Sequence, residues 1–142
     1  MNRNPLTGED REALVSAARQ AAAAAYAPHS DYRVGAAVLS SFGETVSGCN
    51  VENSSYGLSI CAERNAIFAA RARGLVDPSS APLRAVAIHT PQLPTGWPCG
   101  ACRQVLREFA DESCLVIVDS PEGRFESTLG ELLPHGFRLG DG

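Results

Sequence analysis

Polar and apolar positions change period several times along the chain, and each change marks an element. Behind Thr7, the segment EDREALVSAARQAAAAAYA is alanine-rich with apolar side chains spaced for a helix that runs on toward Pro28. Thr7 with Asp10 three positions on supplies the N-terminal cap. In YRVGAAVLSSFGETVSGCNVEN the spacing turns to that of strands. Two β-prone runs, about Arg33 to Leu39 and about Glu44 to Val51, flank a Ser/Gly turn and predict a hairpin. CAERNAIFAARARG returns to helical spacing and stops at Gly74, ahead of the loop VDPSSAP. LRAVAIHTP and CLVIVDS read as buried strands, and PCGACRQVLREFADE between them as a helix with Pro98 near its first turn. Strand, helix, strand implies a crossover with parallel pairing. GRFESTLGELLPHGF adds a last strand and a short helix. The sum is an α/β chain, a three-layer α/β/α sandwich on a central mixed five-stranded sheet, expected as a single domain over residues 1–142.

Composition narrows what such a fold can do. Sixteen acidic against twelve basic residues give a formal charge of −4, and the basic residues are scattered. No electrostatic footprint for nucleic acid or for an anionic membrane emerges from that distribution. The N-terminal MNRNPLTGEDREALVSAARQ lacks the charged and apolar regions of an export signal, and no apolar run approaches the length of a membrane span, so a cytoplasmic protein is expected. Five cysteines, an odd number, then read as reduced thiols and not as a disulfide framework.

The cysteines are not placed at random. Cys61 opens one predicted helix, Cys99 and Cys102 open another, and residues three apart on a helix share a face. Helix N-termini carry partial positive charge, which favours the thiolate that metals require. Three sulfurs on two such termini can converge on zinc. Three protein ligands, with the fourth position open to water, is the catalytic pattern; four is the structural one. Glu63, two residues past Cys61, would stand near the open position as a proton carrier. Taken alone, CGAC also fits a redox pair, half of a structural zinc site, or two small helix residues, and Glu63 alone fits an ordinary first-turn glutamate. Cys49 and Cys114 read as small buried hydrophobes in strands, and His29, His89 and His135 as structural.

CAE followed by PCxxC, together with YAPHSDYRVGAA, GCNVENSSYGLSICAER, PCGACRQVL and ELLP, resembles the short-chain, homotetrameric, Cys₃-zinc cytidine deaminases over nearly the whole chain. The resemblance implies one zinc per chain on Cys61, Cys99 and Cys102. It also implies hydrolysis of cytidine and deoxycytidine to uridine and deoxyuridine plus ammonia, as in pyrimidine salvage, with Glu63 as proton shuttle. It further implies that Asn50 and Glu52 hydrogen-bond the ribose, that Tyr32 stacks near the base, and that the backbone of Ala62 faces the pyrimidine carbonyl edge. Tyr56 and Phe137 resemble residues that complete the pocket of an adjacent subunit in a homotetramer. Arg64 and Arg103, each adjoining a ligand cysteine, resemble arginines that hydrogen-bond the ligand sulfurs and offset their negative charge. Read without the resemblance, NVEN is a turn after a strand, Tyr56 and Phe137 are packing residues, and the two arginines are solvated. The chain departs from the pattern at His29, Tyr32 and Trp97, and the large ring of Trp97 is expected to reshape the rim where ammonia leaves. The partner implied is a small pyrimidine nucleoside. The alternatives are another aminated heterocycle such as blasticidin S, a base within a polynucleotide, which this acidic chain disfavours, or a non-enzymatic zinc module.

Overall fold

A computed structural model describes residues 4–92 and 96–140. In chain order the elements are α1 (Gly8–Ala22), β1 (Gly35–Leu39), β2 (Thr45–Cys49), a single 3-10 turn at Tyr56–Leu58, α2 (Ala62–Ala72), β3 (Leu83–His89), α3 (Gly100–Phe109), β4 (Ala110–Ser120), β5 (Gly123–Thr128) and α4 (Leu129–Leu132). The strands form one sheet in the order β2-β1-β3-β4-β5. β3 and β4 pair in parallel, joined by the α3 crossover, and the other three pairings are antiparallel. The sheet is therefore mixed, as the strand, helix, strand pattern predicts.

Alternation along the central strands builds two cores. Ala36 and Val38, Val86 and Ile88, and Val116 and Val118 face one way, against Ala66, Ile67, Leu106 and Leu129 of α2, α3 and α4. Ala37 and Leu39, Ala85 and Ala87, and Ile117 face the other way, against Leu14, Val15 and Ala18 of α1. One helix lies on one face and three on the other, giving three layers. Close approach fixes α2: a Cβ at Gly48 in β2 would lie 2.5 Å from the nitrogen of Ala66 and 2.9 Å from the carbonyl oxygen of Ala62. Only glycine lets the first turn of α2 settle there, and that turn carries Cys61 and Glu63.

Two predicted boundaries move. The first helix ends at Ala22 and does not run on toward Pro28. Ala23 to Ala25 close it with turn bonds, and Tyr26 pairs instead with the strip beside Val51, its N–H donating to the carbonyl of Asn50 and its carbonyl accepting from Glu52 N–H. The third long helix ends at Phe109, and Ala110, Asp111 and Glu112 belong to β4, where Ala110 pairs with Leu83. In both places backbone pairing with a distant segment outweighs the helix propensity of alanine and glutamate. The capping box of Thr7 and Asp10 forms as expected.

Candidate active site

Cys61 is the N-cap of α2 and Cys99 the N-cap of α3, while Cys102 lies in the first turn of α3. The two helix N-termini converge, so their unpaired N–H groups and partial positive charge act on the same small volume. The sulfurs of Cys61 and Cys99 are 3.9 Å apart, those of Cys99 and Cys102 are 3.5 Å apart, and all three lie within 4.8 Å of one another. A tetrahedral zinc with Zn–S bonds of about 2.3 Å sets its sulfurs roughly 3.8 Å apart. The donor set fits that ion by chemistry and by spacing. Among the described residues these three cysteines are the group of histidine, cysteine and acidic side chains close enough to share a metal, and no fourth protein ligand joins them.

The charge on the sulfurs is shared unequally. A hydrogen bond with Cys102, and then one from Arg64, bring the Cys61 thiol down to about 5 against the opposing effect of burial. Cys102, itself buried, is pushed up by its bond to Cys61 and by desolvation. Arg64 donates from Nη2 to the Cys61 sulfur at 3.4 Å. Arg103 does something else. Its Nε donates to the carbonyl of Pro98 at 2.7 Å and its Nη1 to that of Leu132 at 2.8 Å. It ties the start of α3 to the end of α4 instead of reaching for a sulfur.

Beside the sulfurs opens a cleft of about 220 Å³, lined by Tyr32, Val34, Asn50, Cys61, Ala62, Glu63, Ile88, Thr90, Gly96, Trp97 and Cys99. Glu63 is buried, and desolvation pushes its carboxyl above the ordinary range. A carboxyl so raised takes up a proton more readily than a solvated one. Tyr32 is half-buried, and its hydroxyl hydrogen-bonds Thr90, which is fully buried at the end of β3. Gly96, at φ 55°, sits where a Cβ would come within 2.4 Å of Thr90 Cγ2. The backbone leading to Trp97 is thereby pressed onto Thr90, and the indole lines the cleft as its position before Pro98 suggests.

The remaining expected residues are distributed differently. Asn50 lines the cleft, but its amide is engaged: Oδ1 accepts from Val34 N–H at 2.8 Å and Nδ2 donates to the Tyr32 carbonyl at 2.7 Å. Glu52 lies outside the cleft lining, in an adjoining hollow of about 250 Å³ with His29, Ser30, Tyr56 and Ser59. Tyr56 is 75% exposed, with its ring edge-on to that of His29, and Phe137 is 67% exposed on the C-terminal tail. Neither joins the cleft within one chain. Cys114 is buried as expected and Cys49 partly so. Sequence reading missed Thr90, whose only signal is a small polar residue closing an apolar strand ahead of Pro91, and Val34 and Ile88, whose alternation says core and not cleft.

A family model for the cytidine and deoxycytidylate deaminase zinc-binding region matches residues 8–118. The chain belongs to this deaminase family. It is 41% identical over 133 residues to a cytidine deaminase of Halalkalibacterium halodurans, across 93% of this chain and 97% of that one. The solved structure of cytidine deaminase from Burkholderia pseudomallei matches it with a TM-score of 0.83 at 39% identity, covering 93% of this chain and 100% of that chain. A blasticidin-S deaminase from Bacillus cereus is a more distant member, 28% identical over 110 residues, with 72% of this chain and 75% of that one aligned. The deaminase family model spans both cysteine-bearing helices and strands β1 to β3 with most of β4.

Proposed function

We infer that this chain catalyses the zinc-dependent hydrolytic deamination of cytidine and deoxycytidine, consuming water and releasing uridine or deoxyuridine and ammonia. The observation that carries the reading is the triangle of Cys61, Cys99 and Cys102 on two converging helix N-termini, with the buried carboxyl of Glu63 lining the same cleft. The three thiolates would hold one zinc, which when bound supplies a Lewis acid that makes a coordinated water acidic near neutral pH. Glu63, which lines the same cleft, would take the proton of the water that adds to the amino-bearing carbon and deliver it to the neighbouring ring nitrogen. A second transfer through the same carboxyl protonates the departing amine, so one residue serves as base and then as acid. Burial supports the first role, because desolvation destabilises the carboxylate and makes it a stronger base. Arg64 offsets part of the negative charge that three thiolates leave on the site, and Arg103 holds the ligand helix in place.

Tyr32 and Trp97 supply the apolar faces between which a pyrimidine lies, Ala62 presents backbone to its carbonyl edge, and Asn50 stands on the sugar side of the cleft. Tyr56 and Phe137 are read as completing the pocket of a neighbouring subunit in a homotetramer. Their exposure, shared by Val51 and Leu58, supports that assignment. The two cores share one sheet, which supports a single domain over residues 1–142. No helix among the described residues is long and apolar enough to cross a membrane, and the free cysteines of the site call for a reducing compartment, which supports a cytoplasmic location.

A panel of cytidine, deoxycytidine, cytosine, cytidine monophosphate, adenosine and blasticidin S, assayed with zinc-replete protein, tests the assignment. Turnover of the two cytidine nucleosides well above all others is the expected result; a preference for blasticidin S or adenosine would replace it.

A further inference from the structure

Two rings line the cleft from distant parts of the chain, Tyr32 from the loop after α1 and Trp97 from the segment before α3, and both lean on one buried residue. Thr90 directly follows β3. Its backbone is anchored to the sheet, the N–H donating to the carbonyl of Asp119 in β4 at 2.9 Å. At 1% exposure it has almost no surface left to offer a ligand, so it acts on the cleft through the groups packed against it.

On one side that group is Tyr32. The tyrosine backbone is held at both ends, its N–H donating to Ser30 Oγ at 3.0 Å and its carbonyl accepting from Asn50 Nδ2 at 2.7 Å. These bonds fix where the side chain starts and leave its torsions free. The far end is fixed by the hydroxyl, which shares a hydrogen bond with Thr90. A half-buried phenol held in this way keeps to one rotamer, because any other gives up a bond to a hydroxyl shielded from water.

On the other side is the backbone that carries Trp97. A Cβ at Gly96 would lie 2.4 Å from Cγ2 and 2.6 Å from Oγ1 of Thr90, so the Gly96 main chain rests directly on the threonine side chain. Gly96 takes φ 55°, in the left-handed region that glycine enters readily. On the far flank of Trp97, the Pro98 carbonyl accepts from Arg103 Nε at 2.7 Å. The indole is thus set between two fixed points, one of them the side chain of Thr90.

We propose that Thr90 is a positioning residue that spaces the two walls of the cleft, its hydroxyl holding the Tyr32 ring and its methyl seating the backbone of Trp97. The inference rests on the reading that a pyrimidine lies between those rings. A planar base gains from stacking only where the rings stand at a suitable separation, so a residue that touches neither the base nor the metal still governs how tightly the base is bound. The two tasks reside on different atoms and can be removed one at a time. Thr90→Val keeps the branched shape and deletes the hydroxyl, whereas Thr90→Ser keeps the hydroxyl and deletes the methyl.

Kinetics test the hydroxyl. KM and kcat for cytidine and deoxycytidine are measured with zinc-replete wild type, Thr90→Val, Tyr32→Phe and the double variant. Each single substitution should raise KM about 3- to 30-fold with kcat held within about threefold, equally for both sugars, and the double variant should be no worse than the poorer single one. Additive losses, or a wild-type KM in either single variant, would overturn the proposal. Tyr32→Phe removes the same bond without altering the buried position, so the test survives a Thr90 variant that folds poorly. The methyl is tested without turnover. Trp97 is the only tryptophan of the chain, so quenching of its emission by acrylamide reports on that wall alone. Thr90→Ser should raise the quenching constant, and Thr90→Val should leave it at the wild-type value. Equal quenching in wild type and Thr90→Ser, or an equal rise in both variants, would overturn the proposal. A wild type inactive on every nucleoside would count against the deaminase reading alone, because the quenching of Trp97 would still decide for or against Thr90.

Discussion

Glu63 is the single carboxylate among the described residues lining the cleft, and it stands two positions from a metal-binding sulfur. Glu63→Gln preserves shape and removes basicity. It should therefore retain zinc and fold while turnover falls by the ~10²–10⁴-fold typical of a positioned acid–base group. Metal content and cytidine turnover measured on the same preparation check this, and retention of more than about a tenth of the activity would move the proton transfer to another group. Cys102→Ala should act in the opposite sense, lowering zinc content first and activity as its consequence, because two thiolates on separate helices leave the ion's geometry open. Zinc bound in full by that variant would break the ligand assignment.

At the scale of elements, two helix N-termini share the metal, and the two arginines that follow their cysteines divide the labour of keeping them there. Arg64 touches a sulfur, whereas Arg103 spans from α3 to Pro98 and Leu132. Arg64→Met should weaken zinc affinity by about 10–100-fold in competition with a chelator, the range for removing a partner of a metal ligand. Arg103→Met should show itself chiefly as a lower unfolding temperature, since it leaves the part-buried carbonyls of Pro98 and Leu132 without this donor. Equal losses of affinity in both would mean that Arg103 also serves the metal.

These elements were unevenly legible. The strands, the crossover and the cysteine triangle follow from short-range periodicity and from Cys99 and Cys102 being three apart at a helix start. The end of α1 and the end of α3 do not, because Tyr26 and Ala110 are claimed by Val51 and Leu83, partners far away in the chain. The grip of Glu52 on His29 and Ser30 was hidden for the same reason. It joins a side chain to backbone N–H groups 22 and 23 residues away, and main-chain donors leave no mark in a sequence. Arg103 shows the limit of arguing from adjacency to a cysteine, for its direction is set by carbonyls that only the fold brings near.

Across the whole molecule, the sheet is locked to α1, on the face opposite the cysteines' helices, by a buried acid. Asp119 of β4 accepts from Arg19 of α1 at 2.7 and 3.0 Å and pairs with Nδ1 of His89 on β3 at 2.7 Å. Burial pushes its carboxyl up, but the bonds to Arg19 and His89 prevail and hold it below the ordinary range. A carboxyl depressed in the folded state contributes stability that is present above its unfolded value of about 3.9 and is lost as pH falls through the folded value. Asp119→Asn should thus cost about 1–2 kcal/mol at pH 7, read from denaturant unfolding, and the gap to wild type should narrow below about pH 4. A gap that does not change with pH would mean that packing, and not charge, is what the substitution removes. The two cores, the locked α1 layer and the converging helices all serve one claim, that this chain holds zinc on three cysteines in order to deaminate a pyrimidine nucleoside. The most direct measurement is the production of uridine and ammonia from cytidine by purified protein carrying one zinc per chain, beside the same protein stripped by a chelator and then reloaded. The account predicts equal amounts of both products, lost on stripping and restored on reloading. Zinc-replete protein that releases no ammonia from cytidine or deoxycytidine would contradict it.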